Sequence, residues 1–166
     1  LASRVKDLTE HGFAVRSLVD ALAPLTSALA ASEQPFTLAL PNVWHLATDV
    51  EATVAGDTSA LDLLQVLHPT AAVAGTPTDA AVAAIARIEP LDRGRYAGPV
   101  GWIDARGDGE WAIALRGAQF DLSAASKGAD IPFTAHAGAG IVAGSDPEAE
   151  LLETRVKFRP IVDALA

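Results

Sequence analysis

Gly98-Pro99-Val100-Gly101-Trp102-Ile103-Asp104-Ala105-Arg106-Gly107-Asp108-Gly109-Glu110-Trp111-Ala112-Ile113-Ala114-Leu115-Arg116 sets two apolar, β-prone stretches around one turn. Arg106-Gly107-Asp108-Gly109 is a hairpin signal, because Asp-Gly supplies the positive backbone angles that tight hairpin turns require. The spacing predicts strands over about 98–105 and 109–118. Strands joined this tightly need no crossover helix, which turns the reading away from a regular βαβ alternation.

The flanking sequence supplies helices. Leu8, Val15, Leu18, Leu22, Leu25 and Leu29 recur at helical steps and predict a long helix over about 4–31, with Pro24 a point where it kinks or splits. Phe36 to Leu40 and Val43 to Thr48 read as strand, with Pro41 at an edge or bulge. A short helix at roughly 58–67 has Asp57 or Thr58 as its cap, and residues 67–77 read as loop. A helix at 78–88 has Thr78 as its expected cap, a strand covers about 131–137, and a final helix runs from about 146 to 165. Ser145 is its expected cap, with Pro147 in the first turn and acids early, as the helix dipole favours. The order predicts an α+β fold with mixed or antiparallel sheet and outer helices, in one domain portion covering residues 1–166.

Half of the 166 residues are hydrophobic and a fifth are charged, an ordinary globular composition. The net charge of −9 argues against a nucleic-acid surface, which would carry a basic patch. There are no cysteines, hence no disulfides and no thiolate metal site; this fits a cytoplasmic protein. No apolar run approaches the roughly 20 residues of a membrane span. The chain has no methionine and no signal-peptide core, so a portion of a longer polypeptide is expected.

Chemistry concentrates near the C-terminus. Ala137-Gly138-Ala139-Gly140 opens a glycine-rich loop that leads into a helix bearing Glu150, Glu153 and Lys157 on one face. Two acids and a lysine beside bare backbone N–H groups suit a metal with a carboxylate ligand; on an arbitrary helix they are more often a solvated face with a Glu153–Lys157 salt bridge. The loop lacks the third glycine of a dinucleotide fingerprint, Ala143 standing in its place. His11, His45, His68 and His136 have no metal-ligand spacing. Arg116 follows five apolar or aromatic residues and needs a partner, for which a carboxylate is well suited.

Many of these stretches together closely resemble the C-terminal part of isochorismate synthases, members of the chorismate-utilising enzymes. The stretches are Lys6 to His11, Val43 to Thr48, Leu67 to Thr70, Gly75 to Pro77, Tyr96 to Trp102, Gly107 to Trp111, Leu115-Arg116, Ala137 to Val142, and Glu150 to Lys157. Trp44-His45-Leu46-Ala47-Thr48, His68-Pro69-Thr70 and Gly98-Pro99-Val100-Gly101-Trp102 favour isochorismate over anthranilate synthase, and separate it less well from salicylate synthase.

The resemblance implies a Mg²⁺ site of Glu10, Glu150 and Glu153, holding the ring carboxylate of chorismate. It implies Arg116 and Lys157 as carboxylate-binding cations, Gly138 as part of the loop whose N–H groups meet the same end of the ligand, and His45 as a histidine near the ring and the departing group. Ala72, Val73 and Tyr96 match pocket-wall positions. The implied activity is isomerisation of chorismate to isochorismate by water addition and hydroxide loss, in a monomeric enzyme feeding menaquinone or siderophore synthesis. Salicylate synthase and an inactive chorismate-binding fragment are the alternatives. The family's lysine base and glutamate acid belong to the half that precedes this segment. The lysines here are Lys6, in the motif before Glu10, Lys127, in a polar loop, and Lys157. The missing N-terminal half is therefore an expected partner, and this chain alone is expected to be inactive. Leu8 and Ala71 also depart from the family pattern, standing where arginine and proline are common.

Overall fold

Pro24 decides where the first helix stops. The computed structural model describes residues 5–39, 44–125 and 130–166. In it helix α1 covers Val5–Leu22, a 3₁₀ turn covers Ala23–Leu25 with Pro24 in its first turn, and Thr26–Ala31 forms strand β1. The expected helix to residue 31 is thus corrected: proline lacks the N–H that would continue the ladder. Thr26 Oγ1 donates to the carbonyls of Leu22 at 3.2 Å and Ala23 at 3.4 Å, serving the open end of the helix. β1 then pairs antiparallel with β4, Val50–Val54, whose β-branched residues favour strand; the periodicity had left β4 unread. The register runs from Thr26 opposite Val54 to Ala31 opposite Val50, with an irregularity between Thr26 and Ala28.

Strands β2 (Phe36–Ala39) and β3 (Trp44–Ala47) pair antiparallel, Leu38 facing His45. The expected Pro41 edge, the start of the first helix at Arg4 and the Lys127 loop lie outside the described residues. Helix α2 covers Ala60–Leu67. Its cap is Ser59, not Asp57 or Thr58: Asp62 N donates to Ser59 Oγ at 3.3 Å and Ser59 N to Asp62 Oδ2 at 2.9 Å, a reciprocal capping box. The expected loop 67–77 contains a short helix α3, Ala71–Ala74, and α4 covers Thr78–Ile88 with Pro77 rather than Thr78 at its cap. α1 packs against α2, α3 and β3.

The hairpin forms as β5 (Pro99–Ile103) and β6 (Gly109–Ile113), shorter than expected. Asp104 closes its turn. Its Oδ1 accepts from Arg106 N at 2.8 Å and Asp108 N at 3.1 Å, and these bonds hold its carboxyl below the usual range. Gly107, at φ 89°, offers its carbonyl to Ala60 N at 2.8 Å, seating the turn on the start of α2. Gly101 is required for packing, since a Cβ there would run into the Glu110 carbonyl and Trp111.

Two compact units result: residues 1–92 with 99–112, and residues 93–98 with 113–166. In the second, β7 (Ala118–Phe120) pairs antiparallel with β8 (Phe133–Ala135), bringing the Phe120 and Phe133 rings to 5.7 Å. Helix α5 spans Pro147–Leu165, with Asp146 as its cap, accepting from Ala149 N at 2.9 Å. Ser145, the expected cap, instead accepts from Val142 N at 3.1 Å and closes the glycine loop. The architecture is α+β with antiparallel pairing, as the helix and hairpin signals predict. Among the described residues the buried hydrophobics are Leu22, Ala74, Ala97 and Ile161, while Trp44, Val100 and Trp102 are each more than half exposed. That is a thin core for this length, and it leaves apolar strand faces in solvent. No helix among the described residues is long and apolar enough to cross a membrane.

Candidate functional site

Lys157 anchors the site. It lies on the third turn of α5, and the helix geometry returns its side chain to Glu153, with Nζ 2.5 Å from Oε1. The same ammonium donates to the carbonyl of Gly138 at 2.9 Å. One cation therefore clamps the glycine loop to the acidic face of the helix. An ammonium has three donors, so one is left after these two bonds. Glu150, one turn before Glu153, is buried with 6% of its surface exposed, in a helix first turn whose dipole favours acids.

Tyr96 stands over the same loop. Its ring lies 5.3 Å from that of His136, tilted by 44°, and the Arg93 guanidinium sits 5.9 Å from its centroid. A Cβ on Gly138 would come 3.3 Å from the Tyr96 hydroxyl, so a side chain there would crowd the tyrosine. His136 was not singled out from sequence as a site residue; its position two residues before Gly138 was the available signal.

Arg116 is placed differently than expected. It is not within a strand: β6 ends at Ile113, Leu115 N turns back onto Ile113 O at 2.8 Å, and Arg116 takes φ 57°. Ala97, beside Tyr96, takes φ 63° and is buried. Ala97 N bonds to Ala114 O at 2.9 Å and Ala114 N to Gly98 O at 2.8 Å. Two non-glycine residues in the left-handed region thus flank one pair of hydrogen bonds, each next to or at a predicted substrate residue. Such conformations cost energy and concentrate where a side chain must be aimed.

The first unit carries the other candidates. Glu10 lies on α1, with Lys6 Nζ 3.9 Å from its Oε2. His45 is half-buried on β3. Val73 is half-buried and Ala72 exposed on α3. His11 Nε2 lies 2.7 Å from Thr48 Oγ1, joining α1 to the end of β3, and burial pushes its pKa down. The structure brings together Tyr96, Gly138, Glu153 and Lys157 in the second unit, and Glu10 and His45 belong to the first.

Magnesium takes oxygen ligands, keeps several waters, and is commonly held by one or two carboxylates. Among the described residues no three of His, Cys, Asp or Glu gather within reach of one ion. A full protein cage is therefore not preformed, but Glu150 and Glu153, one helical turn apart, provide the hard donors such an ion needs. These two carboxylates are of the donor type that magnesium takes.

The geometry meets independent comparisons. A family model described as chorismate binding enzyme matches residues 1–166. The chain is 42% identical to the isochorismate synthase DhbC of Bacillus subtilis, over 99% of its own length and 40% of that protein's. A solved structure from Bacillus anthracis carrying the name DhbC superposes with a TM-score of 0.88 at 40% identity, over 99% of this chain and 42% of that one. The menaquinone-specific isochorismate synthase MenF of Escherichia coli superposes at 0.77 with 32% identity, over 96% of this chain and 36% of that one. The chain thus spans about two fifths of the length of the relatives it matches. With the family model matched from its first residue to its last, the chain belongs to the chorismate-binding enzymes.

Proposed function

We propose that this chain is the metal- and carboxylate-binding part of an isochorismate synthase. The observation that carries the reading is the Lys157 clamp, which ties Gly138 to Glu153 beside the buried Glu150 and leaves an ammonium donor for a ligand. Chorismate is a dianion and the chain carries a net charge of −9, so binding needs concentrated positive charge. Arg116 and Lys157 supply it from the protein. By the family resemblance, Glu150, Glu153 and Glu10 would hold a Mg²⁺ ion, which would supply positive charge for a substrate carboxylate.

The reaction adds water at one ring carbon while hydroxide leaves from another, so the product is an isomer of the substrate. Arg116 and Lys157 fix the carboxylate end and Tyr96 walls the ring; the family resemblance gives Ala72 and Val73 as further wall positions and His45 a role near the departing hydroxyl. Fixing the ring lets one base and one acid act on a single geometry. Those two groups, a lysine and a glutamate, come from a segment outside these 166 residues. The thin core and the exposed faces of Trp44, Val100 and Trp102 support a further segment packing here.

The test uses the purified 166-residue chain and the longer enzyme side by side. The chain alone binds chorismate in calorimetry only when Mg²⁺ is present, and turns none over. The longer enzyme releases isochorismate without pyruvate. Turnover by the isolated chain overturns the division of labour; salicylate and pyruvate from the longer enzyme make it a salicylate synthase.

A further inference from the structure

We propose that His11 is a positioning residue for the site: through its hydrogen bond to Thr48 it fixes helix α1, which presents Glu10, against strand β3, which presents His45. The inference rests on the functional reading above. His11 and Thr48 are 37 residues apart in sequence, so their 2.7 Å bond is a tertiary tie. Each partner is adjacent to a piece of the site. His11 directly follows Glu10, and Thr48 directly follows β3, three residues after His45.

The tie is placed where a tie has most effect. β3 is only four residues long and belongs to a two-stranded ladder among the described residues. Such a ladder is marginal by itself and takes its orientation from what it packs on. α1 packs against β3, and the His11–Thr48 bond ties helix to strand end, opposing rotation about the helix axis. Successive helical residues are about 100° apart around the axis. A small rotation of α1 at His11 therefore swings Glu10 through nearly the same angle. Both partners of the tie are half-buried, and burial shields the bond from competing water. The threonine hydroxyl donates and accepts, so the bond forms with either neutral tautomer of the ring.

Residues that orient ligand-bearing elements typically change metal affinity or activity by about 10–100-fold when removed. The test is a double-mutant cycle in the longer enzyme with His11→Ala, Thr48→Val and the pair. Chorismate kinetics and calorimetry with Mg²⁺ alone are the readouts. Each single variant weakens Mg²⁺ binding or lowers kcat by about tenfold or more, and the pair is no worse than either alone. His11→Gln, whose amide reaches the Nε2 position, restores both readouts to within about threefold, and His11→Asn, one methylene shorter, does not. Two results overturn the inference: effects that multiply in the pair, or a lowered melting temperature with Mg²⁺ affinity and kcat unchanged. Failure of the functional reading looks different, because then the unsubstituted enzyme itself neither binds Mg²⁺ nor converts chorismate.

Discussion

Replacing Arg116 by glycine separates the cost of its backbone from the use of its side chain. Arg116 holds φ 57°, a region where a side chain clashes with its own backbone. Holding a non-glycine residue there costs on the order of 1–2 kcal/mol. Glycine removes that strain, while its freer unfolded chain returns about 0.4–1 kcal/mol. Arg116→Gly should therefore leave the longer enzyme as stable as the parent, within about 1 kcal/mol, and more stable than Arg116→Ala. Activity should move the other way. A hydrogen-bonded contact to a charged carboxylate is worth about 1.5–3 kcal/mol, and each 1.4 kcal/mol is tenfold. Loss of the guanidinium should then lower kcat/KM for chorismate by about 10–100-fold. Lysine restores the charge but not the planar fork and recovers only part. The assays are denaturant unfolding and initial-rate kinetics on the same preparations. Unchanged kcat/KM in Arg116→Gly would refute the substrate role. A glycine variant clearly less stable than the alanine variant would refute the strain argument.

Gly138→Ala places a methyl 3.3 Å from the Tyr96 hydroxyl, and should raise KM for chorismate while leaving the melting temperature within a few degrees; kinetics and a thermal melt read this together. Lys157→Met removes the clamp on Gly138 and Glu153, and calorimetry should find chorismate binding weakened by about tenfold or more even at saturating Mg²⁺. Ser59→Ala breaks the capping box of α2 and should cost about 1 kcal/mol near neutral pH, measured by denaturant unfolding. The bonds from Ser59 lower the Asp62 pKa, so its contribution is present above the ordinary carboxyl value of 3.8 and is lost as pH falls below it. The cost of Ser59→Ala should therefore shrink under acid.

The hairpin at residues 99–113 and the helix at 78–88 were legible because each carries its own instructions, an Asp-Gly turn in one and a periodic apolar face in the other. β1 was not. Leu25 and Leu29 continue the helical spacing, and only pairing with β4, 19 to 28 residues away, converts Thr26–Ala31 to strand. Short polar caps behaved similarly. Asp57, Thr58 and Ser59 stood side by side, as did Ser145 and Asp146, and local preference does not choose among adjacent residues that all cap well.

The site divides along the same line. The Glu153–Lys157 pair follows from helical spacing, and is what an ordinary solvated helix would also show. What distinguishes it is the second bond of Lys157 to Gly138, which a loop 19 residues away must deliver. Likewise Arg116 was readable as an arginine out of place among apolar neighbours, but its backbone setting was misread. It is not buried in a strand in search of a partner. It sits just past the strand end, in a conformation that costs energy, opposite an equally strained Ala97. Two left-handed residues on adjoining segments, and Trp44, Val100 and Trp102 left uncovered, are features the proposed reading expects of a chain that packs against a further segment. If that argument holds, covering those faces with the acid–base segment should raise stability and create activity in the same titration.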